Sequence, residues 1–302
     1  MQAPVEPLFK WSKVVWEYLG FLAAFGTFGA LGFEFLVMAP IRRRVGGVPL
    51  DGSSWAAPVR SNSARIGAAG AVLGLLGVFL EAAATGAEKQ IGFIGGLSSE
   101  GLAVPMHIVA LLIILASFIA ASRDVRRAWW LAAIVALVLQ FRNLFTLRWA
   151  TLINPIHEFA ASLWIGTLFV ILAAALPIVM RGATPPQDRG RVVRELVNSF
   201  STSALWLGGV LVLSGITTAW RHLKYVEALW TTPYGQTFLG KLCLVVLVFA
   251  VAAVNWRRVR PALNTEASVG TFRRSGWSEV TLAALVLIVT AFLVSLPTPK
   301  GH

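Results

Sequence analysis

Long apolar runs alternate with short polar connections along the whole chain. Eight runs approach or exceed the ~20 residues that a helix needs to cross a bilayer. They lie at 14–39, 64–85, 103–122, 128–147, 155–180, 200–221, 237–256 and 277–297. The connections are too short to hold a soluble domain, and short connections make consecutive helices antiparallel neighbours. The pattern therefore predicts an all-α fold: one polytopic membrane helical bundle of about eight transmembrane helices. Four fall in 1–150 and four in 151–302. The first run is long and rich in Phe and Gly, so it reads as a spanning helix rather than a cleaved leader.

Composition agrees. Hydrophobic residues make up 57% of the 302 positions and charged residues 13%, with a mean hydropathy of +0.72. A soluble domain carries about a quarter charged residues, so this surface is built for lipid.

The net charge of +12 does not signal nucleic acid, because the basic residues gather in alternate connections. Arg42, Arg43, Arg44, Arg60 and Arg65 follow run 1, and Arg123, Arg126 and Arg127 follow run 3. Arg181, Arg189, Arg191 and Arg194 follow run 5, and Arg257, Arg258, Arg260, Arg273 and Arg274 follow run 7. Together they are 17 of the 26 Lys and Arg. The positive-inside rule makes these connections cytoplasmic and puts both termini on the outer side of the membrane. The one cysteine, Cys243 in run 7, excludes an internal disulfide and reads as a small buried apolar residue.

Run 2 carries Gly67, Gly70, Gly74 and Gly77 at spacings of three and four, a face on which helix backbones approach closely. Glu81 continues that face and is expected to meet a helix partner. Runs 3 and 5 share a different feature. Both open on Pro-x-His, in "VPMHIVALL" (104–112) and "NPIHEFAASLW" (154–164). Proline suits a first helical turn, so His107 and His157 should lie at similar depth near the outer surface. Imidazole is the commonest metal ligand. With the Met106 thioether beside His107, the donors suit copper, as Cu(I) or Cu(II), better than Mg²⁺ or Ca²⁺.

Glu158 is placed to orient a histidine, or simply to complement the helix dipole. Trp164 lies two turns deeper than His157 and either floors a site or fills the bundle. Intramembrane charges usually face a partner or an aqueous path. That makes Glu34, with Met38 a turn further on, either a step on a cation path or the partner of an arginine. Lys241 and Glu279 fall under the same rule. His222 and His302 read as solvated or terminal. No protease, hydrolase or nucleotide-binding motif occurs, so the chain reads as a non-enzyme.

The stretch "FSTSALWLGGVLVLSGITTAW" followed by "ALWTTPYGQTFLGKLCLVVL" (200–220 and 228–247) resembles the CopD copper-resistance membrane proteins. The telling residues are Phe200, Ser201, Gly215, Trp220, Leu229, Trp230, Thr232, Tyr234, Gly235 and Lys241. His157, Trp164 and Gly166 resemble the family's His-started helix, and Glu279 falls on a glutamate of its last helix. The resemblance implies copper movement inward across the inner membrane, with a periplasmic CopC-type copper-binding partner. Joined to the reading of the residues above, it points to a metal site at His157, His107 and Met106, and on the inner membrane puts both termini on the periplasmic side. Glu158, Trp164, Glu81, Glu34, Met38, Cys243, Lys241, Tyr234 and Glu279 would then support the site or line a path. Two other readings stay open: a haem b held axially by the two histidines, and a non-transporting assembly or scaffold factor.

Overall fold

The structure is a computed structural model that describes residues 9–44, 54–146, 151–223, 225–263 and 266–298. His302 lies outside these residues, as does the side chain of His222. The order of helices is α1 (Trp11–Gly32), α2 (Ala39–Arg44), α3 (Ala56–Glu88), α4 (Gly92–Ser98), α5 (Ala103–Ser122) and α6 (Arg126–Gln140). There follow α7 (Ile153–Val170), α8 (Leu176–Ile178), α9 (Pro186–Leu223), α10 (Ala228–Thr231), α11 (Pro233–Val254) and α12 (Glu266–Ser295). No strand occurs among the described residues.

Among the described residues seven helical segments are long and apolar enough to cross a membrane: 11–42, 56–88, 103–122, 153–181, 186–221, 233–262 and 267–295. The chain is a multi-pass membrane protein. The fourth expected crossing is α6, whose 15 residues rise only about 22 Å. A 3₁₀ segment at Arg142–Thr146 follows it. The turn between α5 and α6 is tight, with Asp124 at φ 68°, and returns α6 antiparallel along α5. The first and last helices end side by side. Phe292 of α12 meets Phe9 and Trp11 edge-on, with ring centroids 5.3 and 5.7 Å apart.

Helix α1 is the hub, packing against α3, α7 and α12. Two glycine pairs make the first two contacts close. A Cβ on Gly26 would sit 2.9 Å from the Gly70 Cα of α3, and one on Gly29 would sit 2.5 Å from the Gly166 carbonyl carbon of α7. The run-2 stripe divides between two partners. Gly70 and Gly77 face α1, while Gly67 and Gly74 receive Phe118 and Leu111 of α5. Residues seven apart share a face, which is why the stripe alternates. Glu81 does not continue into either interface; it is exposed.

Among the described residues four stretches widen into π-helix: Phe33–Met38, Ile171–Ala175, Val179–Ala183 and Asn255–Val259. Each ends two residues before a proline, namely Pro40, Pro177, Pro185 and Pro261. Proline has no N–H to donate and its ring crowds the carbonyl four residues back. The turn ahead of it relaxes to a wider hydrogen-bond register.

Gly29→Leu and Gly166→Leu should each lower the thermal unfolding midpoint in detergent, since overpacking a tight contact costs roughly 1–3 kcal/mol or more. Gly209→Ala and Gly240→Ala, where a Cβ meets nothing within 4 Å, should not lower it.

Candidate functional site

His157 sits in the first turns of α7, two residues after Pro155, and turns toward α9. Its Nδ1 is 3.0 Å from Ser214 Oγ. The serine has one hydrogen, directed at the Val210 carbonyl at 2.7 Å or shared with that of Leu211 at 3.2 Å. The hydroxyl oxygen therefore accepts from the ring, and the Leu211 carbonyl bonds the same ring. Nδ1 carries the hydrogen, and Nε2 keeps its lone pair.

Gly215 makes room for this ring, because a Cβ there would stand 3.1 Å from His157 Cε1. Thr218 Oγ1 donates to Asn154 Oδ1 at 3.0 Å and ties α9 to the start of α7. Lys241 of α11 lies within Coulombic reach of the ring. Among the described residues it has no hydrogen-bond or ion-pair partner. Trp164, two turns deeper on α7, is 4% exposed in the apolar core and tilted against Phe249 of α11 at 4.9 Å.

The second Pro-x-His lies elsewhere. Helix α5 packs on α3 and α6, whereas α7 packs on α1 and α9. His107 is half-buried with Arg142 as its charged neighbour. Met106 is 67% exposed and points away. Adjacent helix residues diverge by ~100°, so a thioether and an imidazole in sequence do not converge. Among the described residues no three His, Cys, Asp or Glu side chains gather as a metal-ligand set.

Glu158 diverges from His157 for the same reason. Its carboxylate accepts from Gln140 Nε2 of α6 at 3.1 Å, and the same amide reaches the Pro155 carbonyl at 3.2 Å. Its charged neighbours are Glu17 and Arg142. Glu158 thus belongs with Glu17, Glu81 and His107 around Arg142 and does not orient His157.

Glu34 is the partner of two arginines. Its carboxylate meets Arg42 at 2.7 Å and Arg60 at 3.7 Å, and Arg60 continues to Asp124 at 2.6 Å. The π-turn at Phe33–Met38 places Glu34 inside this clamp of α1, α3 and the α5–α6 turn. Met38 is 1% exposed in the apolar core. Cys243, expected buried, is exposed on the outer surface of α11, because α11 packs chiefly on α12 and α10.

Tyr234 is buried at the corner between α10 and α11. Thr232 caps α11 there, accepting from the Gly235 N–H at 3.0 Å. A Cβ on Gly235 would collide with Leu229. The "LWTTPYG" run is a helix corner. Glu279 falls near the middle of α12, deeper than its expected place at a span start, with Asn255 Nδ2 donating to its Oε2 at 3.0 Å. The sequence reading missed Ser214, Asn255, Arg60 and Arg142 as partners. Ser214 and Asn255 were findable as polar residues inside apolar runs.

Comparison with known proteins bears on these helices. Residues 194–293 match the family described as Copper resistance protein D. That stretch holds Ser214, Gly215, Lys241, Asn255 and Glu279, and leaves out both His157 and His107. The chain is also 29% identical over 148 residues to the copper transport protein CutJ of Bacillus subtilis (strain 168). The alignment covers 49% of this chain and 25% of that protein. No solved structure matches with significance. The resemblance to the CopD family holds over the C-terminal helices.

Removing one partner of a buried ion pair costs roughly 3–5 kcal/mol, and replacing both with apolar groups recovers much of it. Glu34→Leu should accordingly lower the unfolding midpoint in detergent, and Glu34→Leu with Arg60→Met should restore part of the loss.

Proposed function

We propose, on the CopD match over 194–293, that this chain moves copper across the bacterial inner membrane. His157 is then the uptake ligand on the end where both described termini lie. One observation carries the reading: His157 of α7 is bonded through Nδ1 to Ser214 of the family-matched α9, which leaves its Nε2 lone pair unused by that bond. Under the positive-inside rule this end is periplasmic and the arginine-rich end cytoplasmic, which makes the direction inward. A periplasmic CopC-type protein is the copper donor in this reading.

Copper here is cargo. A single imidazole beside the Lys241 ammonium holds a cation weakly, and a conducting site must release what it binds. The haem reading has less support, since an axial pair needs two rings on one cavity and the two histidines have different neighbours.

Cells expressing the chain should accumulate copper, measured by atomic spectroscopy of washed pellets. His157→Ala should cut the gain about tenfold or more, consistent with loss of a charge-assisted ligand worth ~1.4 kcal/mol per tenfold. His107→Ala should leave it near the parent. Lys241→Met should act in the opposite sense on binding, tightening Cu(I) in a chelator competition on purified protein. Unchanged accumulation in His157→Ala at equal expression would overturn the reading.

A further inference from the structure

Far from His157, α11 and α12 enclose a second polar pair that the copper reading does not use. Glu279 is 3% exposed, buried on α12. Asn255, the first residue of the π-turn ahead of Pro261, donates from Nδ2 to Glu279 Oε2 at 3.0 Å. Its other amide atom, Oδ1, is buried and has no donor among the described residues. A buried acceptor left unpaired costs about 1–3 kcal/mol, and an uncompensated buried carboxylate costs more.

The charged groups of the elements packed against α12 do not relieve this. Arg260 is bonded to Asn198 Oδ1 at 2.7 Å. Arg257 and Arg258 of α11's extension are exposed, as are Arg273 and Arg274 of α12 itself and Arg194 of α9. Glu195 of α9 is half-buried and adds no positive charge. From the end of α7 through its π-turn into α8 the stretch 168–176 is apolar throughout, and Glu34 in the π-turn after α1 is engaged by Arg42 and Arg60. Lys241 is fourteen residues up α11 from Asn255, about 21 Å along the axis. No ion pair reaches Glu279 among the described residues.

One hydrogen supplies the missing donor. A carboxyl O–H facing the amide closes a two-bond ring, amide N–H to carboxyl oxygen and carboxyl O–H to amide oxygen. An ionised carboxylate, an acceptor only, cannot do this. We propose that Glu279 and Asn255 form a proton-binding site within the C-terminal bundle, with the carboxyl hydrogen held by Asn255 Oδ1. Loading takes a proton from hydronium, leaving water, and unloading returns it. Pi-turns recur at functional sites, and here the widened turn begins at the acceptor itself.

The site is independent of what His157 binds, so it is tested without copper. Infrared difference spectra of the purified chain in lipid nanodiscs, recorded between acidic and alkaline buffer in H₂O and D₂O, report protonated carboxyl groups directly. A carbonyl band that shifts in D₂O should be present near neutral pH, vanish in Glu279→Gln and persist in Glu81→Gln. Glu279→Asp, which keeps the acid, should move the band rather than delete it. Asn255→Leu should also shift it, because the acceptor is gone. A spectrum unchanged by Glu279→Gln overturns the site. A band lost in Glu279→Gln but unmoved by Asn255→Leu overturns the pairing.

Discussion

Two glycine crossings on one helix hold this bundle together. Gly26 of α1 lets the backbone of α3 in at Gly70, and three residues on, Gly29 admits α7 at Gly166. In lipid no hydrophobic force drives helices together, so association rests on close backbone packing and polar contacts. Small residues on two faces of α1 make it a core helix, and 67% of its apolar window is buried. The same share of α7 is buried, against only 6% of α11. The outer helices are fastened by side chains, with Phe118 and Leu111 of α5 filling the other glycines of the α3 stripe.

This arrangement decides which polar residues meet. With α7 locked against α1, one side of its outer end looks to α9 and the other to α6. His157 and Glu158, neighbours in sequence, go to opposite sides. One finds Ser214 and Lys241, the other Gln140 and Arg142. The Arg142 neighbourhood on the N-terminal side collects Glu17, Glu81, Glu158 and His107. The outer surface therefore carries two separate polar centres, only one of which abuts the CopD-like helices.

Prolines shape the rest. Each of the four π-turns ends two residues before one. Two of these turns bring buried polar groups into play: Glu34 within its arginine clamp, and Asn255 against Glu279. A widened turn changes the angular register of a helix, so a polar residue is brought to an interface that regular α-geometry would turn elsewhere. The fold uses the device once for an ion-pair clamp and once for an uncharged pair.

Read alone, the chain already determined its class, seven of the eight expected membrane crossings, the packing role of the glycine stripe and the family likeness of its C-terminal helices. Hydropathy and spacing are properties of each helix separately, and they survive into any packing. The short α6 is the one crossing for which hydropathy overstated the length. Which faces meet was decided only in three dimensions. The two Pro-x-His motifs look like partners because they share a depth, yet depth says nothing of azimuth, and α5 and α7 contact different helices. Glu34 turned out to be clamped by Arg42 and Arg60, Cys243 to face outward, and Glu158 to face Gln140. Each outcome depends on the rotation of a helix about its axis, which the glycine contacts of α1 set and local sequence does not encode.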